Sequence, residues 1–209
     1  MPSIAPPSSD GEPPRRTVVQ TGRDTLLADS RLMGLYHIAG PADSDPAMAR
    51  AGGWRRTLES AGIRAPEALH GDWSADSGYE LGWRLAADPT VTSVFCANDE
   101  MAIGAIRAFF EAGRRVPEDV SVVGFDDLNV SAFLPTPLTT VRQDFHRIGE
   151  ELVRLVVEQI RSTTRLSQPR VIIPTGLVVR GTTAARGGER RGERESRWTT
   201  SGLARARYG

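Results

Sequence analysis

Apolar positions along this chain keep two different periods, and the switches between them mark out the elements. Residues 92–97 (TSVFCA) form a short apolar run rich in β-branched and aromatic side chains. That composition suits a strand covered on both faces. The period then changes. Met101, Ala102, Ala105, Ile106, Phe109 and Phe110 recur at helical spacing. Asn98 and Asp99 offer N-cap oxygens, and Glu100 puts negative charge in the first turn. Gly113 stands where a helix ends on a left-handed residue. Residues 120–123 (VSVV) read as the next buried strand, closed by Gly124. A strand, crossover helix and strand in this order are expected to be parallel and right-handed.

The same alternation continues on both sides. Residues 34–39 (GLYHIA) predict a strand, and residues 40–46 a loop with Asp45 as N-cap and Pro46 at N1. Met48, Trp54 and Leu58 belong to a helix over 47–61, stopped by Gly62. A short strand follows at 68–71. Ser74 caps a helix over 75–87, which Asp88-Pro89 stops. Beyond the loop DDLNVSAFLPTP, residues 138–141 predict a strand. Asp144 caps a long amphipathic helix over 145–162, with Phe145, Ile148, Leu152, Leu155, Val156 and Ile160 on one side. Residues 171–173 and 177–180 read as two closing strands around Pro174-Thr175-Gly176. The fold class is α/β with a parallel sheet.

Both ends read differently. Residues 1–14 are rich in Pro and Ser, and residues 17–32 are too few and too polar for the packed helices of a DNA-reading motif. Residues 1–33 are therefore expected to be a disordered or non-family leader. From Thr182 onward Gly, Arg, Glu and Ser run without periodicity, which predicts a disordered, Arg/Gly-rich tail over 182–209.

Composition narrows the function. The 209 residues carry 26 basic and 26 acidic side chains, so the chain is no long-range electrostatic lure for nucleic acid. The one cysteine, Cys96, falls inside a predicted strand, where a small buried hydrophobe is the simplest reading. A single cysteine permits no disulfide within the chain and fits a reducing compartment. No apolar run reaches membrane-spanning length, and residues 1–33 lack the pattern of a secretion signal. The expected location is the cytoplasm. Enzyme chemistry finds no foothold. G-x-G-x-x-G after a strand, G-x-x-x-x-G-K-[ST] and G-x-S-x-G are all missing. His37, His70 and His146 are scattered without metal-ligand spacing. No catalytic residue, metal or cofactor is expected.

Polar residues do fall repeatedly at predicted strand ends, where ligands bind in open α/β sheets. Trp73 follows one strand, Asn98 the second, Asp126 the third and Gln143 the fourth, while Arg50 lies near the start of the first helix. An aromatic plate, two amides, a carboxylate and a guanidinium suit a polyol. Asp126 can accept from vicinal hydroxyls, Asn98 and Gln143 can donate or accept, and Trp73 can cover the C–H face of a sugar ring. Arg50 can offset the charge of Asp126. Plain readings compete: Asn98 as a cap, Asp126 and Asp127 as a strand end, Trp73 as packing, Arg50 as a surface residue.

The run ANDEMAIGAIRAFFEAGRRVPEDVSVVGFDD (97–127), followed by PLTTVRQDF (137–145), closely resembles the effector-binding domain of LacI/GalR-type bacterial transcription regulators. The resemblance covers roughly residues 35–181. It implies a periplasmic-binding-protein-like (type I) sensor fold, mainly its C-terminal subdomain, over residues 34–181. It also implies a repressor that responds to a sugar effector and works as a homodimer. Positions matching Arg50, Trp73, Asn98, Asp126 and Gln143 contact the effector in sugar-responsive members, and Phe145 matches a pocket wall. The stretch GDWSADSGYE looks most like the galactoside-responsive branch. Operator DNA would be reached only through a helix-turn-helix headpiece absent from this chain, as is the first sensor subdomain. The helix over 145–162 would then lack part of its cover, at a cost of about 1.5–3 kcal/mol for each large side chain left in water. A sugar-binding protein of a transport system, with a related fold, is the alternative.

Overall fold

In the computed structural model, residues 34–161 and 171–184 are described. The expected leader over 1–33 lies outside them, as does all but the first three residues of the expected tail. The elements in chain order are β1 (Leu35–Ala39), α1 (Asp45–Ser60), β2 (Leu69–His70), α2 (Ala75–Ala86), β3 (Ser93–Cys96), α3 (Asp99–Glu111), β4 (Ser121–Asp126), a 3₁₀ turn (Asn129–Ala132), β5 (Thr139–Arg142), α4 (Phe145–Arg161) and β6 (Gly176–Val178). The strands form one six-stranded sheet in the order β2-β1-β3-β4-β5-β6. Every pair is parallel except β5–β6. The α/β class with a parallel sheet is thus what the periodicity predicted. No helix among the described residues is long and apolar enough to cross a membrane.

Successive strand residues point to opposite faces, and both faces are covered. Ile38, Val94, Cys96 and Val122 pack with Leu81, Leu85, Met101, Ala105 and Phe109 of α2 and α3. Phe95, Val123, Phe125 and Val141 pack on the other face with Trp54 and Leu58 of α1. Each fully buried large side chain contributes about 1.5–3 kcal/mol relative to exposure. Helices α2 and α3 touch backbone to backbone: a Cβ at Gly78 would overlap Met101, and one at Gly104 would overlap Ala75. Cys96 is fully buried, and burial pushes its thiol up. His37 is buried too, stacked on Phe95 with ring centroids 4.7 Å apart, and its Nδ1–H donates to Phe95 O at 2.8 Å. Among the described residues, its Nε2 and the neighbouring Trp54 Nε1 have no hydrogen-bond partner. Desolvation, only partly opposed by the Phe95 bond, lowers the His37 pKa to about 4.

Several boundaries differ from expectation. Ser44 occupies the N-cap of α1, and Asp45 lies one residue inside, in its first turn. Gly124 does not close β4, which runs on through Phe125 to Asp126. Residues 171–173 form no strand, and the closing strand is the shorter Gly176–Val178. Thr182 was expected to open the tail but is fully buried. Its hydroxyl donates to Val122 O at 2.7 Å and accepts from Thr139 N at 2.8 Å, and its carbonyl accepts from Val122 N at 2.8 Å. It extends the sheet beside β4 in the row that β5 has not yet reached. That role is tertiary and leaves no trace in local periodicity.

Helix α4 keeps no side chain buried. Asp144 caps it, accepting from Arg147 N at 3.0 Å. Phe145, Leu152, Val153, Val156, Val157 and Ile160 are all exposed, Ile160 by 77%. The ion pairs His146–Glu150, Arg154–Glu151 and Arg154–Glu158 run along the same helix.

Candidate ligand-binding site

The strand order reverses between β1 and β3, because β2 lies outside β1 and the chain crosses back over. At such a switch point the loops leaving the two strands diverge and open a crevice beyond their carboxyl ends. Gly40 follows β1 there, Trp73 follows β2, Asn98 follows β3, and Gln143 follows β5. Asp126 is the last residue of β4 itself, not a residue beyond it.

Trp73 and Asn98 are fixed to each other. Asn98 caps α3, accepting from Met101 N at 2.9 Å, and its amide donates to Trp73 O at 2.8 Å. The cap and the candidate contact are therefore one residue with two jobs. One amide hydrogen and one lone pair of Asn98 remain for a ligand. The indole of Trp73 lies over Gly40, where any Cβ would overlap it. His70 Nδ1 is 2.9 Å from Gly40 O and holds that loop.

Asp126 and Arg50 form the charged centre. Gln143 Nε2 donates to Asp126 Oδ1 at 2.6 Å, and an Arg50 guanidinium nitrogen stands 3.7 Å from the same oxygen. That second distance is an ion pair too long for a hydrogen bond. Arg50 spends one nitrogen on Ala97 O at 2.6 Å and lies over the Phe125 ring at 3.8 Å and the Trp73 ring at 5.5 Å. Burial lowers the Arg50 pKa, against the raising charge of Asp126. Burial likewise raises the Asp126 carboxyl, opposed by the Gln143 hydrogen bond and the Arg50 charge. Neither group is fully satisfied by its neighbours, so both keep hydrogen-bonding capacity for a polar guest.

Among the described residues, Trp73, Asp126 and Asp127 are the non-glycine residues with positive φ, at 77°, 113° and 58°. Such backbone costs on the order of 1–3 kcal/mol a residue and gathers at ligand sites. The surroundings hold it in place. Asp127 is gripped by Arg142 and Arg180, each at 2.6 Å. Burial would raise its pKa, but the two arginines outweigh that and leave it lowered.

Five of the six sequence-derived candidates are thus linked by contacts: Arg50, Trp73, Asn98, Asp126 and Gln143. Phe145 stands apart. It opens α4, is 55% exposed, and lines a shallow groove along that helix with His146, Gly149 and Val153. Phe125, Gly40 and Asp99 were not anticipated. Phe125 was placed after its strand, so its ring was not expected beneath Arg50. The buried side of Asp99 depends on residues far along the chain.

The model of the periplasmic binding protein-like domain matches residues 29–183. The chain is 35% identical over 191 residues to the lactose operon repressor of Escherichia coli (strain K12), covering 88% of this chain and 52% of that protein. It is 40% identical over 147 residues to the HTH-type transcriptional regulator CelR of Thermobifida fusca, covering 68% of this chain and 43% of that protein. Among solved structures, a dimeric Lac repressor superposes with a TM-score of 0.72 at 36% identity, covering 79% of this chain and 60% of that one. A CelR–cellobiose complex gives 0.72 at 35% identity, covering 79% of this chain and 52% of that one. The chain spans about half the length of the curated relatives it matches.

Proposed function

We propose a function from one premise: the chain belongs to the periplasmic binding protein-like domain family, in its LacI/GalR-type branch, and spans the sensor domain. On this reading it is the effector-sensing part of a sugar-responsive transcriptional repressor. It binds a sugar in the crevice beyond β1, β3 and β4 and catalyses nothing.

The observation that carries the reading is the linked group Arg50, Trp73, Asn98, Asp126 and Gln143 at the strand ends. Asp126 accepts from two adjacent sugar hydroxyls, with Arg50 close enough to offset its charge and free to donate to a ring or hydroxyl oxygen. Asn98 and Gln143 serve hydroxyls of either polarity. Trp73 covers the apolar ring face. A galactoside-like ring is the first candidate, from the stretch around Trp73.

Signalling follows the two-state logic of such sensors. A ligand held better in one arrangement of the sensor shifts the population toward it, and the shift is passed to the DNA-binding part. The stretch described here supplies one wall of that sensor. Operator contact is assigned to a headpiece and gains no residue from this stretch. The protein is read as a cytoplasmic homodimer.

The test is calorimetric titration of the purified chain with galactosides, glucosides and pentoses, using Asp126→Ala as control. Binding that the substitution abolishes supports the reading and identifies the sugar class. A folded chain that binds none of the panel, alone or joined to a relative's remaining half, overturns it.

A further inference from the structure

Asp99 is a carboxylate without exposed surface, at the first residue of α3. Among the described residues no cation pairs with it. Its oxygens are instead met by three donors from another part of the chain. Leu128 N donates to Oδ2 at 2.8 Å, Ser131 Oγ to the same oxygen at 2.6 Å, and Thr140 Oγ1 to Oδ1. Thr140 Oγ1 also receives the Asp127 N–H at 3.4 Å. Gly124 lies under this carboxylate, where any Cβ would collide with Oδ1.

Burying an ionised group without a counter-charge is costly even when it is hydrogen-bonded, and an apolar residue would pack there more cheaply. The geometry suggests what the carboxylate does in return. The residue before Asp99 is Asn98, and the first residue it holds, Leu128, directly follows Asp126 and Asp127. One side chain therefore fixes the start of α3 to the β4–β5 connection at the point where each delivers a ligand-site residue. The left-handed backbone at Asp126 and Asp127 needs such a hold, since it is not the conformation these residues adopt unaided.

We propose that Asp99 is a positioning residue of the ligand site: through Leu128, Ser131 and Thr140 it sets the distance and angle between Asn98 and Asp126. The proposal rests on the ligand-site reading above, and its test separates the two. The variants are Asp99→Asn, Thr140→Val and Ser131→Ala, each compared with the unaltered chain. Three quantities are followed: exchange of the Leu128 amide hydrogen, the NMR shift of the Asn98 side-chain amide, and affinity for whichever sugar the chain binds.

Asp99→Asn is expected to speed Leu128 exchange by at least about tenfold, to move the Asn98 signal, and to weaken sugar binding by about tenfold or more. Thr140→Val and Ser131→Ala, which each remove one donor, are expected to act in the same direction and more weakly. They decide the matter if Asp99→Asn does not fold. A mere stability role would lower the melting temperature while leaving the Asn98 signal and the affinity of the folded protein unchanged, and that result overturns the proposal. If the unaltered chain binds no sugar, the ligand-site reading fails on its own. The Leu128 and Asn98 signals then still decide whether Asp99 sets this geometry.

Discussion

Gln143 Nε2 holds Asp126 Oδ1 at 2.6 Å, and among the described residues nothing hydrogen-bonds Oδ2, the oxygen left to meet a guest. The side-chain amide also fixes the carboxylate plane before any ligand arrives, so less ordering is lost on binding. Asp126→Asn can keep an oxygen on Gln143 Nε2, but it turns the other oxygen into an NH2 donor and removes the charge facing Arg50. Sugar affinity is expected to fall by about 10- to 100-fold, the effect of about 1.5–3 kcal/mol for a lost charged hydrogen bond. Titration calorimetry on a variant with unchanged circular dichroism measures it.

The same carboxylate sets the pH response of binding. Its pKa is raised by burial, and protonation removes acceptor capacity. Affinity is expected to hold at neutral pH and to weaken as pH falls through the raised pKa. Asp126→Asn should show a flat profile over the same range. A wild-type profile equally flat would mean that Asp126 does not accept from the sugar.

Gly40→Ala tests the seat of the indole. The added methyl overlaps the Trp73 ring, a rigid neighbour that must move bodily. A changed Trp73 emission and a weaker sugar affinity, by roughly tenfold, are expected, with a stability loss of about 1–3 kcal/mol from overpacking. Fluorescence and thermal melting read the two effects separately.

His37 gives a stability signature independent of the ligand. Its folded pKa is about 4 against 6.5 for a free histidine side chain. A depressed folded pKa means that the unfolded chain takes up the proton first, so this contribution is present above about 6.5 and is lost as pH falls toward about 4. The loss amounts to roughly 3 kcal/mol in full. Asp99 and Asp126, both raised, move the other way: protonating them on acidification removes the cost of a buried charge. The difference in denaturation midpoint between wild type and His37→Gln, followed with pH, isolates the histidine. Curves that stay parallel would mean that His37 binds its proton equally in both states.

The exposed stripe of α4 predicts self-association. Val156 and Ile160 stand 57% and 77% exposed on a helix with no buried side chain. Sedimentation of the chain is expected to depend on concentration, and Val156→Glu with Ile160→Glu to shift it toward monomer. A single species across the whole range, unchanged by the substitutions, would contradict this.

Particular residues show what was legible and what was not. Asn98 could be read because a cap signature and a strand end coincide at one position. Asp126 was read as a site residue although its strand was cut short at Gly124. That glycine looks like a breaker, yet it sits inside β4 because Asp99 occupies the space of its side chain. Asp99 itself was read only as an N-cap candidate, since its three partners lie 29 to 41 residues away. Thr182 was lost for the same reason, with a partner 60 residues back. Local period and capping rules find elements and their ends. They carry no information on which side chains turn inward to meet one another.

The placement of Thr182 also bears on how the chain is made. Central strand β4 cannot pair Val122 N and O on that side until residue 182 arrives. During synthesis the first four strands and three helices therefore emerge with one seam of the sheet open. A ribosome that has translated β5 still holds an unfinished edge, and the nascent domain is exposed there to wrong strand pairing. Removing residues 182–184 would leave that seam open for good, in a chain that otherwise keeps Arg50, Trp73, Asn98, Asp126 and Gln143.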